Sequence, residues 1–97
     1  MEIDDKENVM ENLQAVIDRH MKDAQTIWAD DKDMQMMAFE DAVNAFAIKK
    51  DIEKGLIAKA VELFAKLDTA PMEDIAVALE KDKGRKWTEE TFGIQFA

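Results

Sequence analysis

Apolar residues recur at spacings of three and four along almost the whole chain, and only one proline and three glycines interrupt them. That spacing puts side chains on one face of an α-helix, whereas a half-buried strand needs alternation with a period of two. The β-branched residues form no long run of the kind that strands favour. The expectation is an all-α protein: a single domain over residues 1–97, built from four to five helices.

A long amphipathic first helix is expected over about residues 6–29. On a helical wheel Val9, Leu13, Val16, Ile17, Met21, Ala24, Ile27 and Trp28 fall within an arc of about 140°. Glu11, Gln14, Asp18, Arg19, Lys22 and Gln25 lie opposite. Asp33 is the expected N-cap of a second helix, about residues 34–49. Met36, Phe39, Val43 and Phe46 make one apolar stripe on it, and Met34, Met37, Ala45 and Ile48 make another on nearly the opposite side. A chain of this length can scarcely surround a helix, so a helix apolar on two sides implies an oligomer seam. A helical homodimer through residues 6–49 follows, with Met34, Met36, Met37, Phe39, Val43 and Phe46 as the dimer or partner surface.

Asp51 is the expected cap of a third helix over about 52–67, or "KKDIEKG" joins the second and third into one. A fourth helix opens with Pro71 at its first position and Glu73 and Asp74 in the turn where the helix dipole is positive. Met72, Ile75, Ala76 and Leu79 are its expected buried face, and Gly84 its stop. Thr88 then caps a last short helix over 89–96.

The composition excludes more than it assigns. With no Cys, Ser or Tyr and a single His, the usual nucleophiles are missing and thiolate metal sites are ruled out. A zinc site would need His20 plus carboxylates from several helices. His20 lies within the apolar arc of the first helix with no second His or Cys to converge on it, so it is assigned to the core or the interface. No catalytic set, cofactor or metal is expected, and the protein is expected not to be an enzyme. No apolar run approaches the roughly 18 residues of a membrane span, and the acidic opening "MEIDDKENV" is unlike a signal peptide. The expected location is the cytoplasm, with no membrane partner. The run Asp30-Asp31-Lys32-Asp33 fails the calcium-loop pattern in both registers: Lys32 falls at position 3 in one, and Ala42 at position 12 in the other. It is a solvated turn.

Charge divides the chain. Residues 1–47 carry twelve acidic and four basic side chains, while residues 48–97 carry ten and nine, within a net charge of −9. An acidic helical surface can imitate nucleic-acid phosphates, although Arg19 and Lys22 interrupt it, and it can equally serve only to keep a small chain in solution. The basic residues gather late, at Lys83, Arg85 and Lys86, where a phosphate contact is the candidate role.

Residues 71–92, "PMEDIAVALEKDKGRKWTEETF", carry the arrangement I-A-x-x-L followed by G-x-K-W-T-x-x-T-F, through Ile75, Ala76, Leu79, Gly84, Lys86, Trp87, Thr88, Thr91 and Phe92. This stretch resembles the helix-turn-helix segment of large serine recombinases and related mobile-element proteins. The resemblance implies that Trp87 and Phe92 anchor the last helix, that Thr88 caps it, and that Lys83, Arg85 and Lys86 approach phosphate. The recombinase chemistry needs a serine, which the chain lacks. Beyond Glu89 and Glu90 there is no Arg, Lys or Asn to reach base edges.

The functional expectation is therefore a small regulatory or accessory protein with a helix-turn-helix-like half over about 52–96. It would act as a homodimer through a protein partner or DNA. The alternative is an acidic inhibitor or adaptor of a nucleic-acid-handling protein.

Overall fold

The computed structural model describes residues 4–96; the ends of the expected 1–97 domain, residues 1–3 and 97, lie outside it. The described residues form five α-helices and no strand: α1 (Asp5–Gln25), α2 (Lys32–Glu53), α3 (Ile57–Ala65), α4 (Thr69–Glu80) and α5 (Gly84–Phe92). None is long and apolar enough to cross a membrane.

α1 and α2 form the main antiparallel pair, and α4 and α5 both close on α1. Val9, Leu13, Val16 and Ile17 point from α1 into the core, where they meet Ile48 and Ile52 of α2, Ile75 and Leu79 of α4, and Phe92 of α5. Each fully buried side chain of this size contributes roughly 1.5–3 kcal/mol. The Cα radius of gyration, 13.5 Å, is close to the ~13 Å of a compact domain of this length.

Helix boundaries differ from the expected ones, and polar side chains explain most of the differences. α1 stops at Gln25, not at residue 29. The Thr26 hydroxyl donates back to Lys22 O (2.8 Å), and Gln35 Nε2 donates to the carbonyls of Ala24 (2.9 Å) and Ala29 (3.2 Å). Those contacts satisfy carbonyls that a continuing helix would have used. Ile27 is consequently exposed. α2 starts two residues early because Asp31, not Asp33, caps it by accepting from Met34 N–H (3.1 Å). Asp51 lies inside α2, which runs to Glu53 and breaks at Gly55. There φ is +77°, a conformation that favours glycine. α3 is accordingly shorter than expected. Pro71 sits third in α4, still in the first turn, where its missing N–H costs no helical bond.

The largest correction concerns the α4–α5 turn. Gly84 is not the stop of α4, since Asp82 takes the left-handed backbone (φ 54°) and Gly84 is the first residue of α5. Its lack of a side chain serves packing: a Cβ there would lie 2.6 Å from Leu79 O and 2.8 Å from Val9 Cγ2. Thr88 is not an N-cap either. It is fully buried in the middle of α5, where its hydroxyl donates to Leu79 O (2.9 Å). The last helix ends at Gly93, in the left-handed conformation, and does not reach residue 96.

Because Gly84 meets backbone rather than a flexible side-chain end, Gly84→Ala should cost about 2 kcal/mol. Thr88→Val, which removes a buried hydrogen bond, should cost about 1–2 kcal/mol. Urea unfolding followed by circular dichroism would measure both.

Candidate functional site

The first half of α2 turns an alanine face inward, with Ala38, Ala42 and Ala45 buried ahead of Ile48 and Ile52, and carries its phenylalanines outward. Val43 is 64% exposed, Met36 61%, Phe46 48% and Phe39 39%. Small residues at a helix seam bring the axes together and leave no interior volume for phenylalanine. Together with Ile17 and Met21 of α1, residues Phe39, Ala42, Val43 and Phe46 line a shallow groove that has no polar side chain in its wall. Four of the six residues expected on the partner surface (Met36, Phe39, Val43 and Phe46) thus share one face. Met34 is half-buried, and Met37 turns away to a second groove beside Leu63 and Leu67. Ile17 and Met21 are the members that sequence reasoning assigned to the core. Their place at one edge of the α1 stripe was the signal for a second role.

The basic cluster is exposed, as its composition requires, but it is not free. Arg85 and Lys86 lie in the first turn of α5 and Lys83 just before it. Asp5, Asp82 and Glu89 border the same shallow depression as the three cations. Arg85 is held by Glu89 (Nε to Oε1, 3.6 Å) and donates to the carbonyl of Phe96 (2.9 Å). The turn itself is tied to α1: Asn12 Nδ2 donates to Ala78 O (3.1 Å) and Lys81 O (3.3 Å), and Lys83 N–H donates to Asn8 Oδ1 (3.1 Å). Trp87 and Phe92 stand with ring centroids 6.1 Å apart, Phe92 buried and Trp87 half-buried against the core. They are packing groups.

A third feature joins residues that the sequence keeps far apart. His20 of α1, Asp41 of α2 and Asp74 of α4 each direct a ligand atom to one place, all within 4.8 Å of one another. His20 Nε2 lies 3.3 Å from Asp74 Oδ2 and 3.9 Å from Asp41 Oδ2. The nitrogen is buried, and it makes no hydrogen bond. Arg19 Nη2 approaches the other oxygen of Asp74 at 3.5 Å. Burial pushes the Asp41 carboxyl above its usual range, as do the charges of Asp74 and Glu40, against the opposing pull of His20 and Arg19. The arrangement brings two carboxylates and one imidazole nitrogen together from three helices. Chemically, it can share a proton or ligate a cation.

Comparison with family models, with curated proteins and with solved structures finds no match to this chain.

Two outcomes follow. A raised carboxyl pKa means that the folded chain holds the proton more tightly than the unfolded one, so the contribution of Asp41 to stability falls as pH rises from about 4. In chelator-containing buffer, Asp41→Asn should therefore gain stability relative to the parent between pH 4 and pH 7, as read by urea unfolding at both. For the basic turn, with its cations bordered by an equal number of carboxylates, anisotropy titration with duplex DNA should show no binding that strengthens as salt is lowered.

Proposed function

We propose that the chain is a non-enzymatic interaction module, regulatory or inhibitory in role, that works as a homodimer through the outer face of α1 and α2. The observation that supports this most directly is the exposed apolar set Met21, Phe39, Val43 and Phe46, which shares one groove floored by the buried Ile17 and Ala42, with exposed Met36 on the same stripe of α2. Contiguous apolar faces of this kind, rimmed by polar residues, mark interaction sites on folded domains. Methionine and phenylalanine give such a face adaptable packing and large contact area.

A second copy is the favoured occupant, on grounds of symmetry and charge. Val43 sits at the middle of α2, so a two-fold axis beside it overlays the whole helix on its antiparallel counterpart. In that register Met36 meets Lys50 of the second copy, and Phe39 meets Ala47. Glu40, at the acidic edge of the stripe, comes within a turn of Lys50, which already lies 5.6 Å over the Phe46 ring. Unlike charges pair across the seam and the two helix dipoles oppose, both of which favour this isologous arrangement.

The dimer leaves the acidic surface of α1 and the second groove, between Met37 and Leu67, for a protein partner. That arrangement accords with an adaptor or an inhibitor of a nucleic-acid-handling protein. DNA contact through Lys83, Arg85 and Lys86 has less support, because Arg85 is already engaged and Asp5, Asp82 and Glu89 surround the cluster.

Sedimentation at micromolar concentration should give twice the chain mass, and Val43→Glu should reduce it to the chain mass with the helical spectrum retained. Glu40→Lys should weaken association about tenfold, and the exchange Glu40→Lys with Lys50→Glu should restore it. A parent chain that sediments as a monomer would remove the proposal.

A further inference from the structure

The cluster of His20, Asp41 and Asp74 is absorbed by neither the apolar face nor the basic turn. Its most direct structural use would be an ion pair, with a protonated imidazole between two carboxylates. The geometry does not favour that use. Charge-assisted N–H···O bonds run at about 2.7–2.9 Å and nearly in line. Here Nε2 is 3.3 Å from one oxygen and 3.9 Å from the other, and it makes no hydrogen bond to either. Ligand atoms around a metal ion show this relation instead. Each points at the ion, and their own separations are longer than a charge-assisted hydrogen bond.

Burial adds a second argument. The His20 side chain is only 12% exposed, and its Nε2 atom is out of contact with solvent and without a partner. A buried polar atom of that kind costs about 1–3 kcal/mol unless something satisfies it. Two carboxylates face the same atom across three helices. The arrangement holds excess negative charge that one cation would neutralise while also giving the nitrogen a partner.

We propose that His20 Nε2, an oxygen of Asp41 and Oδ2 of Asp74 bind one divalent transition-metal ion of the zinc class, pinning α1, α2 and α4 together. The imidazole donor selects against magnesium and calcium, which prefer oxygen alone. Three protein ligands leave a fourth position for water, or for a donor group from a partner. Arg19 acts as a positioning residue, because it occupies Oδ1 of Asp74 and turns Oδ2 toward the imidazole. Ions reach the site from two sides: Asp74 borders a groove between α1 and α4, and Asp41 borders one between α2, α3 and α4. The site lies within one chain, so its loss and the loss of the dimer are separately measurable.

The test uses the full chain, stripped with chelator and returned to chelator-free buffer at pH 7. Calorimetric titration with Zn²⁺ should show one ion per chain. Co²⁺ in its place should give the visible absorption of a four- or five-coordinate site that Zn²⁺ then displaces. At about 100-fold excess over Kd the melting temperature should rise by roughly 10 °C or more. His20→Gln, Asp41→Asn and Asp74→Asn should each weaken binding by more than about tenfold, while Asp30→Asn with Asp33→Asn in the exposed turn should not. Asp41→Asn is the decisive variant, since it should fold as well as the parent without metal. The proposal is overturned if the parent binds no Zn²⁺ at millimolar concentration, if Mg²⁺ binds as tightly, or if Asp41→Asn binds Zn²⁺ as the parent does.

Discussion

The architecture depends on the close approach of α1 and α2 across the alanines of α2. Ala42 and Ala45 are buried against α1, with Ile48 and Ile52 continuing the seam toward the other end. A seam of small residues needs no rearrangement of large side chains to close, but it has no room for them. The phenylalanines and methionines of α2 are therefore excluded from the interior by geometry as much as by their position on the wheel. The outward apolar face and the inward alanine face are two results of one packing choice.

The same closeness brings polar groups into service at the ends of the helices. Gln35 closes the end of α1, while Asn8 and Asn12 hold the end of α4 and the start of α5. These amides satisfy carbonyl and N–H groups that helix ends leave open. They also fix the α4–α5 turn against α1, so that Gly84 can lie under Val9 and Thr88 can reach Leu79 O. α5 commits Thr88, Phe92 and the half-buried Trp87 to the core. The residues that carry the family resemblance, Gly84, Trp87, Thr88 and Phe92, have packing roles here that need no nucleic acid.

Much of the fold was legible in the sequence because helical periodicity is a local signal. The all-α class, the core positions Val9, Leu13, Val16 and Ile17, and the two-sided character of α2 all follow from spacing. Helix ends were less legible, since they depend on contacts from elsewhere in the chain. Nothing local announces that Gln35 ends α1 or that Asp82, rather than Gly84, takes the left-handed turn. Gly84 and Thr88 invite a capping reading because those residue types most often cap, yet tertiary contact with Val9 and Leu79 decides their roles. The grouping of His20 with Asp41 and Asp74 was out of reach for the same reason. The three are separated by 21 and 33 positions along the chain, and each looks unremarkable on its own helix.

The alanine seam and the His20 cluster are linked. Asp41 precedes Ala42, so drawing that alanine into the seam carries Asp41 to the edge of the interior beside His20. α4, packed against α1, supplies Asp74 from the other side. A carboxylate in that place is desolvated, and its neighbour is a second carboxylate, so the bundle is least stable when both are charged and nothing lies between them. A cation that neutralises them would tighten the contact of α1 with α2 and α4. Because the outer face of α1 and α2 is built on that same contact, a cation held at its inner edge would also stabilise the surface proposed to receive a second copy. Coupling of this kind requires no conformational switch: it needs only that the ion bind the closed bundle better than the loosened one.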